Sequence, residues 1–246
     1  MDLSRPSKPE PAERIILALD LPDWEGNLGI LRALKGRVRW AKVGPILFYR
    51  GGFEVLQRLL DMDLRLFLDL KFHDIPSVVA GAVDAVLRKC AVQMLTVHAS
   101  GGVAMLREVR ASLDRMPVGE QPKLLGVTVL TSLEASDLAT QGIHGSPTDQ
   151  AARLARMAIT GKADGVVCSP RDIGAVRNEV GTEPLIVVPG IRAGSVGGSK
   201  DDQVRTGSAA EAIRSGASYL VVGRPLLLAK DPAEAFALLE TEVAEA

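Results

Sequence analysis

Short apolar runs alternate with segments of helical periodicity along the chain, and this alternation limits the possible folds more than any other feature. Eight runs are predicted strands: 14–20, 38–43, one that begins at Leu66, 93–98, 124–130, 165–170, 185–188 and 219–222. Runs that are apolar on both faces are typical of buried parallel strands. Eight strand-then-helix units without a linker predict an α/β protein with a single closed (β/α)8 TIM barrel. An open doubly wound sheet uses the same alternation, but no G-x-G-x-x-G follows the first strand.

Length and composition are consistent with one catalytic domain. The 246 residues fit one barrel as easily as two smaller domains, and the missing linker favours a barrel over residues 13–246 with a flexible, proline-containing arm at 1–12. A net charge of -1 argues against a nucleic acid or an anionic membrane surface as partner. The arm lacks the apolar core of a signal peptide, and no run is long enough to span a bilayer, so we expect a cytoplasmic protein. Cys90 and Cys168 are expected to be reduced packing residues.

Charged residues interrupt the third predicted strand. Asp69 and Lys71 are two residues apart and so share one face of a strand, and Asp74 follows just past the expected strand end. Such charges are costly to bury unless they are paired or used. A structural ion pair is one interpretation. The position at the carboxyl end of a barrel strand favours a functional one, because active sites of this fold lie at that end.

The ends of the first three strands together predict one polar network. Asp20 closes the first strand, Lys42 lies near the end of the second, and Asp69 and Lys71 close the third. A parallel barrel brings these ends to one face. Four charges of alternating sign on neighbouring strands therefore indicate a catalytic site.

The last two strands end in sequences suited to an anion. Gly190-Ile191-Arg192 and Gly223-Arg224 fall in the loops where this fold usually binds phosphate. Glycine lets the backbone approach the phosphate, and arginine offers a planar fork of donors. The glycine- and serine-rich stretch 193–203 between them is predicted to be a lid. The alternatives are turn glycines with solvated arginines, and a surface loop.

Asp69-Leu70-Lys71-Phe72-His73-Asp74-Ile75-Pro76 resembles the signature of the orotidine 5'-phosphate decarboxylase family, and this eight-residue match is specific. Further matching segments follow the same order over nearly the whole barrel: Leu17-Ala18-Leu19-Asp20, Lys42-Val43-Gly44, Leu130-Thr131-Ser132, Pro189-Gly190-Ile191-Arg192, Asp202-Gln203 and Gly223-Arg224-Pro225. The resemblance implies decarboxylation of orotidine 5'-monophosphate to uridine 5'-monophosphate, the last step of pyrimidine synthesis, without a cofactor or a metal.

The resemblance also implies a role for each matching residue. Lys71 would be the proton donor to C6 of the pyrimidine, and Asp69 would lie against the substrate carboxylate. Lys42 and Asp20 would hold the ribose hydroxyls and orient the network. Asp74 would reach in from the partner subunit, which implies a homodimer with two shared sites.

The remaining implied contacts are with the base and the phosphate. Thr131, with Ser132, would contact the pyrimidine. The phosphate would be held by Arg192, Gln203, Gly223 and Arg224. Ile75 and Pro189 complete the implied substrate-binding set.

Two other functions fit the same residues. One is a metal-dependent decarboxylase or aldolase acting on a sugar phosphate, on a similar barrel with a related Asp-x-Lys-x-x-Asp motif. It needs a further open carboxylate near the first three strand ends, and none is evident; the three histidines also show no metal-binding spacing. The other is a catalytically silent sensor of a phosphorylated ligand, which does not explain a lysine beside two acids.

Overall fold

The structure is a closed parallel barrel surrounded by helices. The computed structural model describes residues 10–34, 36–192 and 205–246. Eight strands close in the order β1-β10-β7-β6-β5-β4-β3-β2. They are β1 (Ile15–Ala18), β2 (Trp40–Val43), β3 (Arg65–Phe72), β4 (Met94–His98), β5 (Lys123–Val127), β6 (Gly165–Val167), β7 (Leu185–Val188) and β10 (Tyr219–Val222). The predicted α/β class and single (β/α)8 barrel are confirmed.

Helices connect the strands and cover the outside of the barrel. The α-helices are α1 (Trp24–Ala33), α2 (Pro45–Leu60), α3 (Pro76–Leu87), α4 (Gly102–Leu113), α5 (Ala135–Thr140), α6 (Pro147–Thr160), α7 (Ile173–Val180), α8 (Ala209–Arg214), α9 (Arg224–Leu227) and α10 (Pro232–Ala244). Short 3-10 turns lie at η1 (Pro11–Arg14), η2 (Ala99–Gly101) and η3 (Pro170–Asp172). Side chains begin several helices: Asp23 and Ser146 each accept a hydrogen bond from the backbone N–H three residues later. Within the described ranges, no helix is long and apolar enough to cross a membrane.

Alternation along the strands divides the apolar core in two. Ile15, Leu17 and Leu19 belong to the large cluster between sheet and helices, whereas Ile16 and Ala18 belong to a small cluster inside the barrel. The other buried members of that inner cluster are Trp40, Phe67, Met94, Leu125, Val187 and Val221. The inner cluster fills the lower part of the barrel and leaves the carboxyl end to polar side chains.

Three of those polar side chains follow directly from the alternation. Lys42, Asp69 and Thr96 each come two residues after a large inner side chain, namely Trp40, Phe67 and Met94. Residues at i and i+2 of a strand share a face. The three therefore form a buried polar layer immediately above the apolar one.

The fifth and sixth strands each end three residues earlier than predicted. The fifth was predicted over 124–130 but ends at Val127, and the sixth was predicted over 165–170 but ends at Val167. At this end, Thr128 donates both its N–H (3.1 Å) and its Oγ1 hydroxyl (2.8 Å) to the carbonyl of Val167. Thr131 and Ser132 therefore lie in a turn beyond the strand instead of at its end.

A small two-stranded sheet lies outside the barrel ladder. β8 (Ile191–Arg192) pairs in parallel with β9 (Gly207–Ser208), in the register Ile191 with Gly207 and Arg192 with Ser208. The sequence predicted only a loop after the seventh strand. The whole predicted lid at 193–203 lies outside the described residues, and so does the predicted arm up to residue 9.

Candidate active site

Four charged side chains from three neighbouring strands meet at the carboxyl rim of the barrel. Lys42 Nζ lies 2.9 Å from Asp20 Oδ1 and 3.6 Å from Asp69 Oδ2. Lys71 Nζ lies 2.8 Å from the same Asp69 oxygen. The charges thus alternate in the order Asp20, Lys42, Asp69, Lys71, as the sequence predicted.

Burial differs along this network and divides it into an inner and an outer part. The side chains of Lys42 and Asp69 are 9% and 10% exposed, whereas those of Lys71 and Asp20 are 31% and 44% exposed. Burial alone would lower the pKa of Lys42, but the negative charges of Asp69 and Asp20 outweigh it and raise the pKa above its ordinary value. Lys42 is therefore a permanent cation that holds the two acids in place. Lys71 presents the more accessible ammonium group.

The backbone at Lys71 departs from a regular strand. The pairing of β3 with β4 shifts register between Leu68 and Phe72, and Lys71 has φ of 51°, in the left-handed region. That conformation costs a residue other than glycine on the order of 1 kcal/mol. The bulge redirects the end of β3, so the contact between Lys71 and Asp69 depends on this local irregularity and not only on their spacing.

Thr96 is the principal site residue that the sequence prediction missed. Its side chain is buried in β4, where Oγ1 accepts a hydrogen bond from the Lys71 N–H (3.0 Å) and donates one to Asp69 Oδ1 (3.0 Å). One hydroxyl thus fixes both the bulged backbone and the central carboxylate. The sequence did contain a signal for Thr96, because it is a hydroxyl residue inside an apolar predicted strand that follows the charged third strand.

Two histidines lie next to this network. The rings of His73 and His98 are 5.3 Å apart between centroids. Burial, followed by the charges of His73 and Lys71, lowers the pKa of His98. A neutral His98 adds no charge that would compete with Lys71 for Asp69.

Glycines leave open space beside the outer acid. A Cβ on Gly44 would lie 3.2 Å from Lys42 Nζ and 3.3 Å from Asp20 Oδ1, so a side chain there would crowd this ion pair. A Cβ on Gly223 would lie 3.8 Å from Asp20 Oδ2. Since Gly223 follows the last barrel strand, the predicted anion side directly adjoins the charged network.

The described residues of the predicted phosphate site come from the same end of the barrel. Pro189 and Gly190 follow β7, and Gly190 has φ of 82°, which favours glycine. Arg192 lies in β8 and is exposed, while Arg224 follows β10 as the first residue of α9. Gln203 lies outside the described residues.

The other predicted contacts lie further out on the surface. Asp74 and Ile75 are exposed, and Asp74 Oδ1 accepts a hydrogen bond from the N–H of Ile75 at 2.6 Å. Thr131 is half-buried and Ser132 is exposed. No contact within one chain connects Asp74 to Lys71 or Lys42 among the described residues. No group of three or more His, Cys, Asp or Glu in the described part of the chain is arranged to hold a metal ion.

Comparisons with known proteins agree with this geometry. The model of the orotidine 5'-phosphate decarboxylase / HUMPS family matches residues 13–238. The orotidine 5'-phosphate decarboxylases of Anaeromyxobacter dehalogenans and Chromohalobacter salexigens are each 44% identical, over 92% and 94% of this chain and 96% of each relative. The crystal structure of orotidine 5'-phosphate decarboxylase from Lactobacillus acidophilus superposes with a TM-score of 0.80 at 36% identity, and covers 93% of this chain and 98% of that one.

The matched length and the identity are sufficient to assign the family. The match includes all eight barrel strands and every charged residue of the rim network. The predicted enzyme class, a decarboxylase acting in pyrimidine biosynthesis, is confirmed by the same relatives. The chain belongs to the orotidine 5'-phosphate decarboxylase / HUMPS family.

Proposed function

We propose that the chain converts orotidine 5'-monophosphate to uridine 5'-monophosphate and carbon dioxide in the cytoplasm, with Lys71 as the proton donor and without a cofactor or metal. The observation that carries this proposal is the Lys71 ammonium group. It lies 2.8 Å from a buried carboxylate and retains 31% exposure toward the barrel mouth. The names of the relatives supply the substrate.

The reaction needs a cation at the carbon that loses carbon dioxide. Cleavage of the bond between C6 and its carboxylate leaves an electron pair on C6, which the pyrimidine ring delocalises poorly. An ammonium group fixed at that carbon stabilises the developing anion and then donates its proton to C6. Lys71 becomes a neutral amine in this step and regains its proton from solvent before the next turnover.

Asp69 keeps Lys71 in this role. Its carboxylate lies 2.8 Å from the Lys71 ammonium group and attracts it, which holds the group in place. Asp69 itself is held by Thr96 on one oxygen and by Lys71 and Lys42 on the other. Such a constrained acid cannot turn away when the substrate carboxylate approaches, so the two negative charges repel until carbon dioxide departs.

The outer members of the network suit the ribose. Asp20 is the most exposed of the four charged groups, and Lys42 orients it at 2.9 Å. We assign the ribose hydroxyls to these two side chains, because a carboxylate accepts and an ammonium group donates hydrogen bonds. Gly44 leaves room beside this pair.

The phosphate and the edge of the base away from C6 are assigned to the remaining loops of the rim. We assign the phosphate to Arg192, Arg224, Gly223 and Gln203 with Pro189 beside them, and the base to Thr131 and Ser132. Arginine and glycine in these loops match the usual phosphate position of the fold. Binding energy from the remote phosphate can then offset the unfavourable contact between the two carboxylates.

We further propose a homodimer in which Asp74 completes the site of the partner subunit. Asp74 and its neighbour Ile75, which is 63% exposed, lie at the surface beside β3. Val78 on the next turn is also exposed at 48%. Exposed apolar residues next to an acid that makes no ion pair within the described chain are suited to an interface that carries this acid into a neighbouring site.

The deciding experiment adds orotidine 5'-monophosphate to the purified protein and follows loss of the orotate absorbance, with and without a chelator. The proposal expects equal turnover in both samples. Turnover that stops with chelator and returns with magnesium would instead identify a metal-dependent enzyme. Binding without turnover would identify a sensor.

A further inference from the structure

A second buried ion pair lies outside the catalytic network. Asp172 ends the 3-10 turn after β6 and is fully buried, and Arg205 is 5% exposed. Arg205 Nη2 contacts Asp172 Oδ2, which also accepts a hydrogen bond from Ser169 Oγ at 2.8 Å. Asp172 Oδ1 accepts one from Thr148 Oγ1 at 2.8 Å. The carboxylate is therefore held on both oxygens by side chains from three parts of the chain.

Stabilisation of the fold does not by itself explain why this ion pair is present. The attraction between two buried charges offsets their desolvation cost only when the geometry is excellent. Apolar residues of similar volume often give the folded protein equal stability. Arg205 Nη1 is also buried and has no hydrogen-bond partner in the described part of the chain. A pair that is costly for stability is more readily explained by what it fixes in place.

Arg205 is connected to Arg192 by a short structural path. Arg205 precedes β9 by two residues, and β9 pairs with β8, where Arg192 lies opposite Ser208. The N–H of Gly207 donates to the carbonyl of Gly190 at 3.2 Å. β8 and β9 have only two residues each, so this sheet has little stability of its own.

The turn that carries Asp172 also packs directly against β9. A Cβ on Gly207 would lie 2.8 Å from Cβ of Pro170, closer than two such atoms can pack. β9 is therefore held on one side by its pairing with β8 and on the other by the turn after β6. The ion pair between Arg205 and Asp172 fixes the chain just before β9.

We propose that Asp172 and Arg205 are positioning residues that set the place of Arg192 and thereby the affinity for the substrate phosphate. This inference rests on the proposed role of Arg192 in phosphate binding. The pair does not touch the substrate. It fixes β9, β9 fixes β8, and β8 presents the guanidinium group at the rim.

The test compares ligands with and without the phosphate. Calorimetry measures the affinities for uridine 5'-monophosphate and for uridine, and a thermal melt measures the stability of each variant. Arg205→Met and the isosteric Asp172→Asn should each lower affinity for the nucleotide about tenfold while leaving that for uridine unchanged, a loss on the scale of one charge-assisted hydrogen bond. Arg205→Lys retains the charge without the planar fork, so its loss should be smaller.

A matched control lies at the other end of the same strand. Asp164 precedes β6, forms a partly buried ion pair with Arg110 at 3.2 Å, and accepts a hydrogen bond from the Leu124 N–H. Asp164→Asn should lower the melting temperature and leave the ratio of the two affinities unchanged.

The outcomes separate this inference from the proposed function. A wild-type protein that does not bind uridine 5'-monophosphate refutes the proposed function, and the inference fails with it. Suppose instead that the wild type binds uridine 5'-monophosphate and that Asp172→Asn or Arg205→Lys is folded. If the ratio of its affinities for the nucleotide and for uridine then equals that of Asp164→Asn, the inference alone is refuted. Equal loss of nucleotide and nucleoside affinity also refutes it, because a purely structural role predicts that pattern.

Discussion

Removal of the Thr96 hydroxyl should damage both stability and catalysis. Thr96→Val keeps the shape of a buried side chain but leaves the Lys71 N–H and Asp69 Oδ1 without their partner. A hydrogen bond to a charged group contributes roughly 1.5–3 kcal/mol, and a buried donor without a partner costs roughly 1–3 kcal/mol. Asp69 keeps both lysines and the Lys71 N–H is only partly buried, so we expect a total loss of about 2–4 kcal/mol.

The catalytic loss follows from the backbone. Thr96 holds Lys71 at φ of 51°, and without it this strained residue can relax and move its ammonium group. Misplacement of a reacting group by about 1 Å can reduce the rate about 100-fold, so kcat should fall by roughly 10- to 100-fold. Denaturant unfolding gives the first quantity, and turnover at saturating orotidine 5'-monophosphate gives the second.

Thr128→Val is the matched control. Thr128 is also buried, but its hydroxyl donates only to the neutral carbonyl of Val167. Its loss should cost about 1 kcal/mol and leave kcat unchanged. Thr96→Ser, which retains a hydroxyl, should restore most of the activity. If Thr96→Val has the same free energy of unfolding and the same kcat as Thr128→Val, the Thr96 hydroxyl does not hold the site together.

Four further predictions follow from the site. Lys71→Ala should retain nucleotide binding but reduce kcat at least about 10⁴-fold, and residual turnover above that level would exclude it as the proton donor. Arg224→Ala should lower kcat/KM for orotidine 5'-monophosphate about 10- to 100-fold with little change for orotidine, and an equal loss for both would contradict phosphate binding. The stability difference between wild type and Lys42→Met in denaturant unfolding should be constant from neutral pH to about pH 10.4 and decline as pH rises through the raised pKa of Lys42; a difference that persists or grows through that range would contradict the linkage. Mixed dimers of inactive Asp74→Asn and Lys71→Ala subunits should regain activity, because one of their two sites is intact, and no recovery in proven heterodimers would place Asp74 in its own subunit.

The sequence predicted the elements that depend on local pattern. The seventh strand was predicted at its observed bounds, since its four apolar residues are closed by a proline and a glycine. The convergence of Asp20, Lys42, Asp69 and Lys71 also followed, because parallel strands present their carboxyl ends at one rim.

Features that depend on contacts between distant segments were not predictable. The bulge at Lys71 arises from its pairing with β4, and alternation along one strand contains no information on such an irregularity. The fifth strand ends just before Thr128, whose hydroxyl donates to a carbonyl 39 residues away. Asp172 and Arg205 are 33 residues apart, and neither has a neighbour that marks it as one half of an ion pair.

The position of the site across the closure of the barrel connects its two halves. β1 pairs with β10, with Leu17 opposite Val222, so the first and last strands complete the barrel beside Asp20 and Gly223. In the proposed binding mode, a nucleotide would reach from Lys71 to Arg224 and would cross the junction of segments that are far apart in the chain. Rigid parallel pairing would then keep the proposed phosphate contacts at a fixed distance from Lys71, and phosphate binding energy could oppose the repulsion at Asp69. On the proposed binding mode, barrel closure therefore contributes to catalysis as well as to folding.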